Sequence, residues 1–476
     1  MSKKARVNNQ KPETTERSIS RITVSGFKSI RNEQSIDIKP LTILAGPNNS
    51  GKSSMMQPLL LLKQTLEATY DPGPLLLNGP SVHFTSVEQL LAQLSNGKRA
   101  GSFEVGIGFD PVFTATISFK KKGTGGFRIQ KIILEVNRHG KVRRGVLQEG
   151  MSHKAISAEM SSLNEEIGNL LDHLLHAPNE ESRKLLDQVE QLPIEKLEKL
   201  RDLLVSIELV VIRNRCFLDI AFSTRGAIVQ TIPLIKDITI RRMIHLPGLR
   251  GNPERAFPVT AVGAMFPGTF QEYTASIIAQ WQAEKRSSNL KLLGKYLEKL
   301  GLTWKVSAKA INDAQVELQV GRLPYSAKSG ATDMVNIADV GFGVSQVLPV
   351  LVALLVAEPG QLVYIEEPEI HLHPRAQSAM AEILADAAKR GIRVVIETHS
   401  QLLLLGIQTL VAKGSLSPDL VKLHWFKRRN DGSTEITSAD LDEAGTFGSW
   451  PEDFAEVALE AESRYLDAAE SRQTIN

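Results

Sequence analysis

The sequence predicts an α/β fold in which one compact unit is divided around a long insert. Three observations carry that expectation. A short apolar strand, Leu41-Thr42-Ile43-Leu44-Ala45, leads into Gly46-Pro47-Asn48-Asn49-Ser50-Gly51-Lys52-Ser53 and then a helical pattern. A second apolar run, Leu362 to Ile365, ends in the paired carboxylates Glu366 and Glu367. A third, Ile392 to Ile396, ends in Glu397-Thr398-His399-Ser400. Runs of this kind suit central strands of a parallel sheet buried on both faces. Lys52 and Glu367 are 315 positions apart, far more than a compact unit needs.

The first pattern matches G-x-x-x-x-G-K-[ST] in the strand–loop–helix setting that the motif requires. Glycines at 46 and 51 let the loop turn tightly, so that successive backbone N–H groups converge on phosphate oxygens. The helix N-terminus adds partial positive charge. Lys52 would bridge the β- and γ-phosphates of ATP and Ser53 would be a Mg²⁺ ligand. Candidate nucleotide contacts are therefore Gly46, Asn48, Asn49, Ser50, Gly51, Lys52, Ser53 and Ser54. A Gly-rich loop before an ordinary helix is the plainer alternative. Pro58 falls inside the following helix and should kink it or force a rearrangement.

Glu366 ends its strand where it would hold the Mg²⁺ shell, commonly through water, and Glu367 would polarise the attacking water as general base. Pro368 stops the strand and fixes the turn. Two surface glutamates after a core strand would read the same way locally. His371 and His373 invite a zinc reading with Glu367, but their i, i+2 spacing has no third strong ligand nearby. His399 would hydrogen-bond a γ-phosphate or the attacking water. A lone histidine is more often structural; its place about 30 residues after the carboxylates favours the catalytic role.

Together these residues resemble an ABC-type AAA ATPase of the RecF, Rad50, SMC and OLD class. The opening Ile22-Thr23-Val24-Ser25-Gly26-Phe27-Lys28-Ser29-Ile30 looks like its first strand. The likeness covers roughly residues 20–95 and 330–430. It is strongest to stand-alone prokaryotic ATPases of anti-phage defence, of the Septu (PtuA-like) or PARIS type. His245-Leu246-Pro247-Gly248-Leu249-Arg250-Gly251-Asn252-Pro253 also looks like a loop of such ATPases, though alone it reads as a Gly/Pro-rich turn. The resemblance implies a signature sequence facing the nucleotide of a second protomer. The best match is Asp339-Val340-Gly341-Phe342-Gly343-Val344-Ser345-Gln346, with Gly341, Gly343 and Ser345 as the contacts. Gly341 stands where the family has serine, so backbone N–H groups would bind the phosphate unless Ser345 supplies the hydroxyl. A Gly-rich helix cap with no nucleotide role is the alternative.

Residues 1–18 read as a flexible tail, 19–150 as the N-terminal half of the head, and 151–207 as a helical hairpin insert. A connecting β/helical lobe at 208–330, the C-terminal half of the head at 331–430 and an acidic helical tail at 431–476 complete the chain. The β-rich stretches are Phe103–Phe109, Phe113–Phe119 and Phe127–Val136. In the insert, Leu163, Ile167, Leu170 and Leu174 recur at helical spacing, as do Leu197, Leu200, Leu204 and Ile207. An arm of 24 residues would reach only about 36 Å, too short for the long tethers of Rad50 or SMC. Another helical face carries Leu293, Tyr296, Leu297 and Leu300.

At 476 residues and 42% hydrophobic content the chain can bury large cores. A single cysteine, Cys216, rules out a disulfide framework. No apolar stretch approaches 18 residues, and no signal-peptide core opens the chain. The expectation is a cytoplasmic protein with no membrane partner. The net charge of +3 hides an asymmetry, with twelve Asp/Glu against two Arg in 431–476 and eight Lys/Arg against two Glu in the first 31 residues. DNA contact through phosphates is therefore open, against an ordinary solvated surface. With only 5% aromatics, base stacking is not expected.

Three functions follow. The first is a Mg²⁺-dependent ATPase that forms a homodimer or higher homo-oligomer and controls a separate effector. The chain lacks carboxylate or Cys-rich nuclease motifs after His399, so that effector is expected to be a nuclease on another polypeptide. The others are a RecF/Rad50-like DNA-repair ATPase and a non-hydrolysing ATP-sensing scaffold.

Overall fold

The computed structural model describes residues 18–448 except 110–111, 124, 139, 164–206, 225–226, 236 and 323–332, together with Ser463. Most of the predicted hairpin insert and the end of the acidic tail lie outside these residues. So do the N-terminal tail except Ser18, and Ile167, Leu170, Leu174, Leu197, Leu200 and Leu204.

In chain order the strands and helices are β1 (Ile19–Ser25), β2 (Gln34–Asp37), β3 (Leu41–Ala45), α1 (Lys52–Glu67), β4 (Ser102–Phe109), β5 (Phe113–Lys121), β6 (Phe127–Arg138), β7 (Lys141–Leu147) and α2 (His153–Ser162). Then come β8 (Ile207–Asn214), β9 (Phe217–Thr224), β10 (Ala227–Ile232), α3 (Ile238–Arg241), β11 (Ile244–Leu246), β12 (Phe257–Pro258), α4 (Thr274–Ala283), α5 (Ser287–Lys299), β13 (Val306–Asn312), β14 (Gln315–Gly321) and β15 (Met334–Asn336). The last third holds α6 (Phe342–Val356), β16 (Leu362–Glu366), α7 (Pro374–Lys389), β17 (Arg393–Thr398), α8 (Gln401–Ala412), β18 (Val421–Arg428) and β19 (Thr434–Ala439).

The chain builds the split α/β head expected from its sequence. A six-stranded sheet in the order β11-β16-β17-β3-β18-β19 draws strands from both ends of the chain, parallel except for β19. Every residue of β3 is buried. Leu41, Ile43, Ile365 and Ile396 pack into a core with the helices from α4 to α8. Leu44, Tyr364, Val395 and Phe426 face a second core built from α1 and an antiparallel sheet, β2-β1-β4-β5-β6-β7. That alternation is the period-2 geometry of a strand covered on both faces. The β-rich lobe thus covers one side of the central sheet and the helices the other.

Helix α1 continues through Pro58, where the sequence predicts a kink or rearrangement. Only the N–H that would have reached the Ser54 carbonyl is lost. Leu59, Leu60, Leu61 and Leu62 are all buried around it, and full burial of one leucine contributes about 1.5–3 kcal/mol. Arg215, in the β8–β9 turn, donates from one guanidinium nitrogen to the carbonyls of Thr65, Leu66 and Ala68 at 2.7–2.9 Å and closes the end of α1. The expected face of Leu293, Tyr296, Leu297 and Leu300 is buried. Two boundaries need correction. Ile207, placed on a helical face of the insert, begins strand β8. Residues 434–439, assigned from sequence to an acidic helical tail, form β19 on the edge of the central sheet. Their Thr-Glu-Ile-Thr-Ser-Ala alternation was masked by the acidic composition of the residues that follow.

Candidate active site

The loop between β3 and α1 is shaped by its glycines. Gly46 has φ +146°, and a Cβ there would lie 2.2 Å from the Phe426 carbonyl oxygen. Gly51, at φ +103°, caps α1 without a side-chain hydrogen bond, leaving first-turn N–H groups open to an anion. The buried Lys52 ammonium donates to the carbonyls of Gly46 at 2.9 Å and Pro47 at 3.0 Å. Burial lowers its pKa, against the pull of Glu397, Glu367 and Glu369. Behind the loop, the Thr434 hydroxyl on β19 meets the Ser50 carbonyl and the Ser29 hydroxyl, each at 2.8 Å. The Ser50 hydroxyl oxygen itself is buried without a partner.

A cavity of about 850 Å³ opens over this loop. Asn48, Asn49, Ser50, Gly51, Lys52, Ser53 and Ser54 line it, and Glu367, Glu397 and His399 face them across it. Gly46 lies beneath the loop as a Lys52 acceptor. Glu367 has a left-handed backbone, φ +45°, fixed by its N–H to the Glu397 carbonyl at 2.9 Å. Such a conformation is uncommon for a residue with a Cβ and here directs the side chain into the cavity. Its Oε1 is 3.6 Å from His399 Nε2. Burial, then Lys52, lowers the His399 pKa.

Several residues that sequence reasoning passed over hold this arrangement. Glu369 is buried, and its Oε1 accepts from the Thr398 hydroxyl and from the His399 N–H at 3.1 Å. Burial raises its pKa. Glu397 Oε2 accepts from the Ser53 hydroxyl at 2.9 Å, and Tyr364 donates its hydroxyl to Oε1. Burial, and next the neighbouring Glu366, push the Glu397 carboxyl up to about 7. Lys28, Arg31, Gln89, Gln93, Arg99 and Arg428 line the outer cavity. Apart from Lys28, in the opening segment, no local motif marked them.

Glu366 ends β16 beside its in-register partner Glu397 on β17. It is not among the cavity-lining residues. Its carboxylate meets His245 Nε2 at 3.2 Å and the Gly248 N–H at 3.1 Å. Buried Arg250 donates to the Glu366 carbonyl at 2.6 Å and the Gln346 carbonyl at 3.2 Å. The 245–253 segment, read locally as a turn, is thus a brace between the carboxylate strand and α6.

Gly341, Gly343 and Ser345 stand at the N-terminus of α6, outside the cavity. Gly341 is exposed with open space around it, and Phe342 beside it is 50% exposed. Ser345 spends its hydroxyl on the Phe342 carbonyl at 3.0 Å. His373 caps α7 through Nδ1, accepting from the Arg375 N–H, and His371 packs near Phe342. Among the described residues no group of three His, Cys, Asp or Glu could hold a metal by itself. A Mg²⁺ ion, by contrast, needs only one or two carboxylates beside nucleotide phosphates, and the Ser53–Glu397 pair with the orphaned Ser50 hydroxyl fits that demand.

Known sequences agree with this geometry. A family profile described as an AAA ATPase domain matches residues 18–204. Another, described as "AAA domain, putative AbiEii toxin, Type IV TA system", matches residues 279–405. No curated protein matches the chain. Among solved structures it is similar to an SMC head bound to the C-winged helix domain of ScpA, at 14% identity over 90% of this chain and 99% of that one, TM-score 0.46. It is also similar to the SMC head domain from Thermotoga maritima, at 12% identity over 88% and 98%, TM-score 0.37. A third is the Smc head domain with an extended coiled coil from Pyrococcus furiosus, bound to the C-terminal domain of ScpA, at 11% identity over 95% and 100%, TM-score 0.41. Among the described residues no helix is long and apolar enough to cross a membrane.

Proposed function

We propose that this chain binds and hydrolyses ATP with Mg²⁺ and works as the sensor and scaffold subunit of a prokaryotic anti-phage defence complex, governing a separate effector, a nuclease. The observation that carries the ATP chemistry is the meeting, in one cavity, of Lys52 and Ser53 with Glu367 and His399 from the far end of the chain. Lys52 exchanges its loop carbonyls for phosphate oxygens. Glu367 accepts a proton from the attacking water, and His399 holds that water or the terminal phosphate. Bound Mg²⁺ offsets phosphate charge. The exposed α6 N-terminus, outside its own chain's cavity, supports a second protomer completing the site. Support for a partner-controlled defence role comes from the family description over residues 279–405, which names a putative toxin of a toxin–antitoxin system.

Glu367→Gln keeps the size of the side chain and removes the base. It should lower turnover by about 10²–10⁴-fold while ATP drives the variant into stable dimers, read by light scattering. Unchanged turnover would sink the mechanism. Steady-state ATPase that rises steeply on adding DNA and falls with salt would instead favour a repair clamp. Assembly on ATP with no phosphate release would favour a non-hydrolysing scaffold.

A further inference from the structure

Arg250 sits on the loop after β11, and its side chain joins the end of β16 to α6. Its Nη2 donates to the Glu366 carbonyl at 2.6 Å and to the Glu367 carbonyl at 3.3 Å. Its Nη1 donates to the Gln346 carbonyl at 3.2 Å, and its backbone N–H to Gln346 Oε1 at 3.4 Å. Gln346, on α6, returns the contact from Nε2 to the Gly251 carbonyl at 2.7 Å. Both side chains are buried. The loop and the helix therefore hold each other in both directions, and the same guanidinium holds the peptide groups of the two carboxylate residues.

One of those residues is strained. Glu367 keeps φ +45°, a conformation that a residue with a Cβ retains only where its surroundings over-determine it. Its N–H is fixed by the Glu397 carbonyl at 2.9 Å, and its own carbonyl accepts from the Ile370 N–H at 3.1 Å within the turn. Arg250 is the contact that leads out of the sheet and the turn, to the helix whose N-terminus is open to a second protomer. The guanidinium is not packed on every side. Arg250 and Gln346 line a separate cavity of about 520 Å³, and Arg250 Nε has no partner among the described residues. Open volume beside an unpaired donor leaves the side chain room to move with α6, which a close-packed interior would not.

We propose that Arg250 is a positioning residue that couples α6 to the general base: a shift of α6, when its N-terminus takes up the phosphate bound by a second protomer, passes through Gln346 and Arg250 to the backbone of Glu367 and sets its carboxylate. The proposal rests on the ATPase reading and deepens it, since it gives assembly a physical route to the reacting water. Misplacing a catalytic group by about 1 Å costs about 100-fold in rate, so a link of this kind controls turnover without touching the nucleotide.

The test compares the full wild-type chain with Arg250→Lys, which keeps the charge but offers one nitrogen where two guanidinium nitrogens now bond. Three quantities are read: affinity for a fluorescent non-hydrolysable ATP analogue, dimerisation on ATP by light scattering, and phosphate release under single-turnover conditions, which resolve slow rates. Arg250→Lys should bind the analogue and dimerise as the wild type does, while phosphate release slows by about tenfold or more. In the Glu367→Gln background, where the base is already gone, Arg250→Lys should cost no further rate; a purely structural role would slow both backgrounds alike. An unchanged rate in Arg250→Lys, a loss of binding or dimerisation in place of rate, or losses that multiply in the double variant overturns the proposal. If Arg250→Lys does not fold, Gln346→Met carries the test from the helix side: it should dimerise normally and release phosphate about threefold or more slowly, and a wild-type rate overturns the coupling. Wild-type protein that releases no phosphate refutes the ATPase reading itself, whereas an active wild type with equally active variants refutes only the role of Arg250.

Discussion

At the scale of single residues, the site divides into groups that a local pattern marks and groups that only folding brings in. Lys52, Ser53, Glu367 and His399 were legible because each sits in a short motif whose chemistry is written in neighbouring positions. Glu369 and Arg250 were given no role, because the contacts that supply one lie 30 and 96–117 positions away. Two substitutions separate the classes. Gly46→Ala places a Cβ against the Phe426 carbonyl, a backbone atom with no flexible end to move aside. It should cost about 2 kcal/mol or more in urea unfolding and abolish nucleotide binding. Glu369→Ala leaves the phosphate loop intact but takes the acceptor from the His399 N–H and the Thr398 hydroxyl. Turnover should fall by about tenfold or more with little change in the KM for ATP, measured by steady-state phosphate release. A rise in KM at constant kcat would mean that Glu369 serves binding instead.

At the scale of elements, strands were read well where both faces are apolar, as in β3, β16 and β17. Strand β19 was missed, and the loop after β11 was marked by resemblance but not as a brace, because their partners lie far off in sequence. The same long-range pairing buries His424 on β18. Its Nε2–H donates to the Asp37 carbonyl at 2.9 Å, and its Nδ1 accepts from Ser438 at 2.7 Å. Burial, the larger cause, depresses its pKa to about 4. The folded protein therefore binds fewer protons here than the unfolded chain, whose histidine titrates near 6.5. The stability His424 confers is present in full above pH 6.5 and is lost as the pH falls to about 4, by about 3 kcal/mol for a shift of this size. Urea midpoints between pH 7 and 4 should show that slope in the wild type and a flatter one in His424→Gln. Equal slopes would show that other groups carry the acid sensitivity.

At the scale of the whole molecule, the separation of the two motifs in sequence was the readable part, since a split sheet was the simplest way to reunite them. The sequence could not say which faces stay open, because exposure depends on every neighbour at once. The open face that matters most is the α6 N-terminus. Gly341 has ordinary extended backbone, nothing within 4 Å of an added Cβ, and the N-cap position, where aspartate favours a helix. Gly341→Asp should therefore fold normally yet set a negative charge against the terminal phosphate bound by a partner protomer. Alone it should be inactive, as should Lys52→Ala. If two protomers share each site, mixing the variants makes heterodimers in which one site unites the intact phosphate loop of one chain with the intact α6 of the other. Random pairing in equal amounts then leaves about a quarter of all sites whole in a twofold dimer, so ATPase activity should return to about that fraction of wild type. If each chain completed its own site, the mixture would stay as inactive as its components.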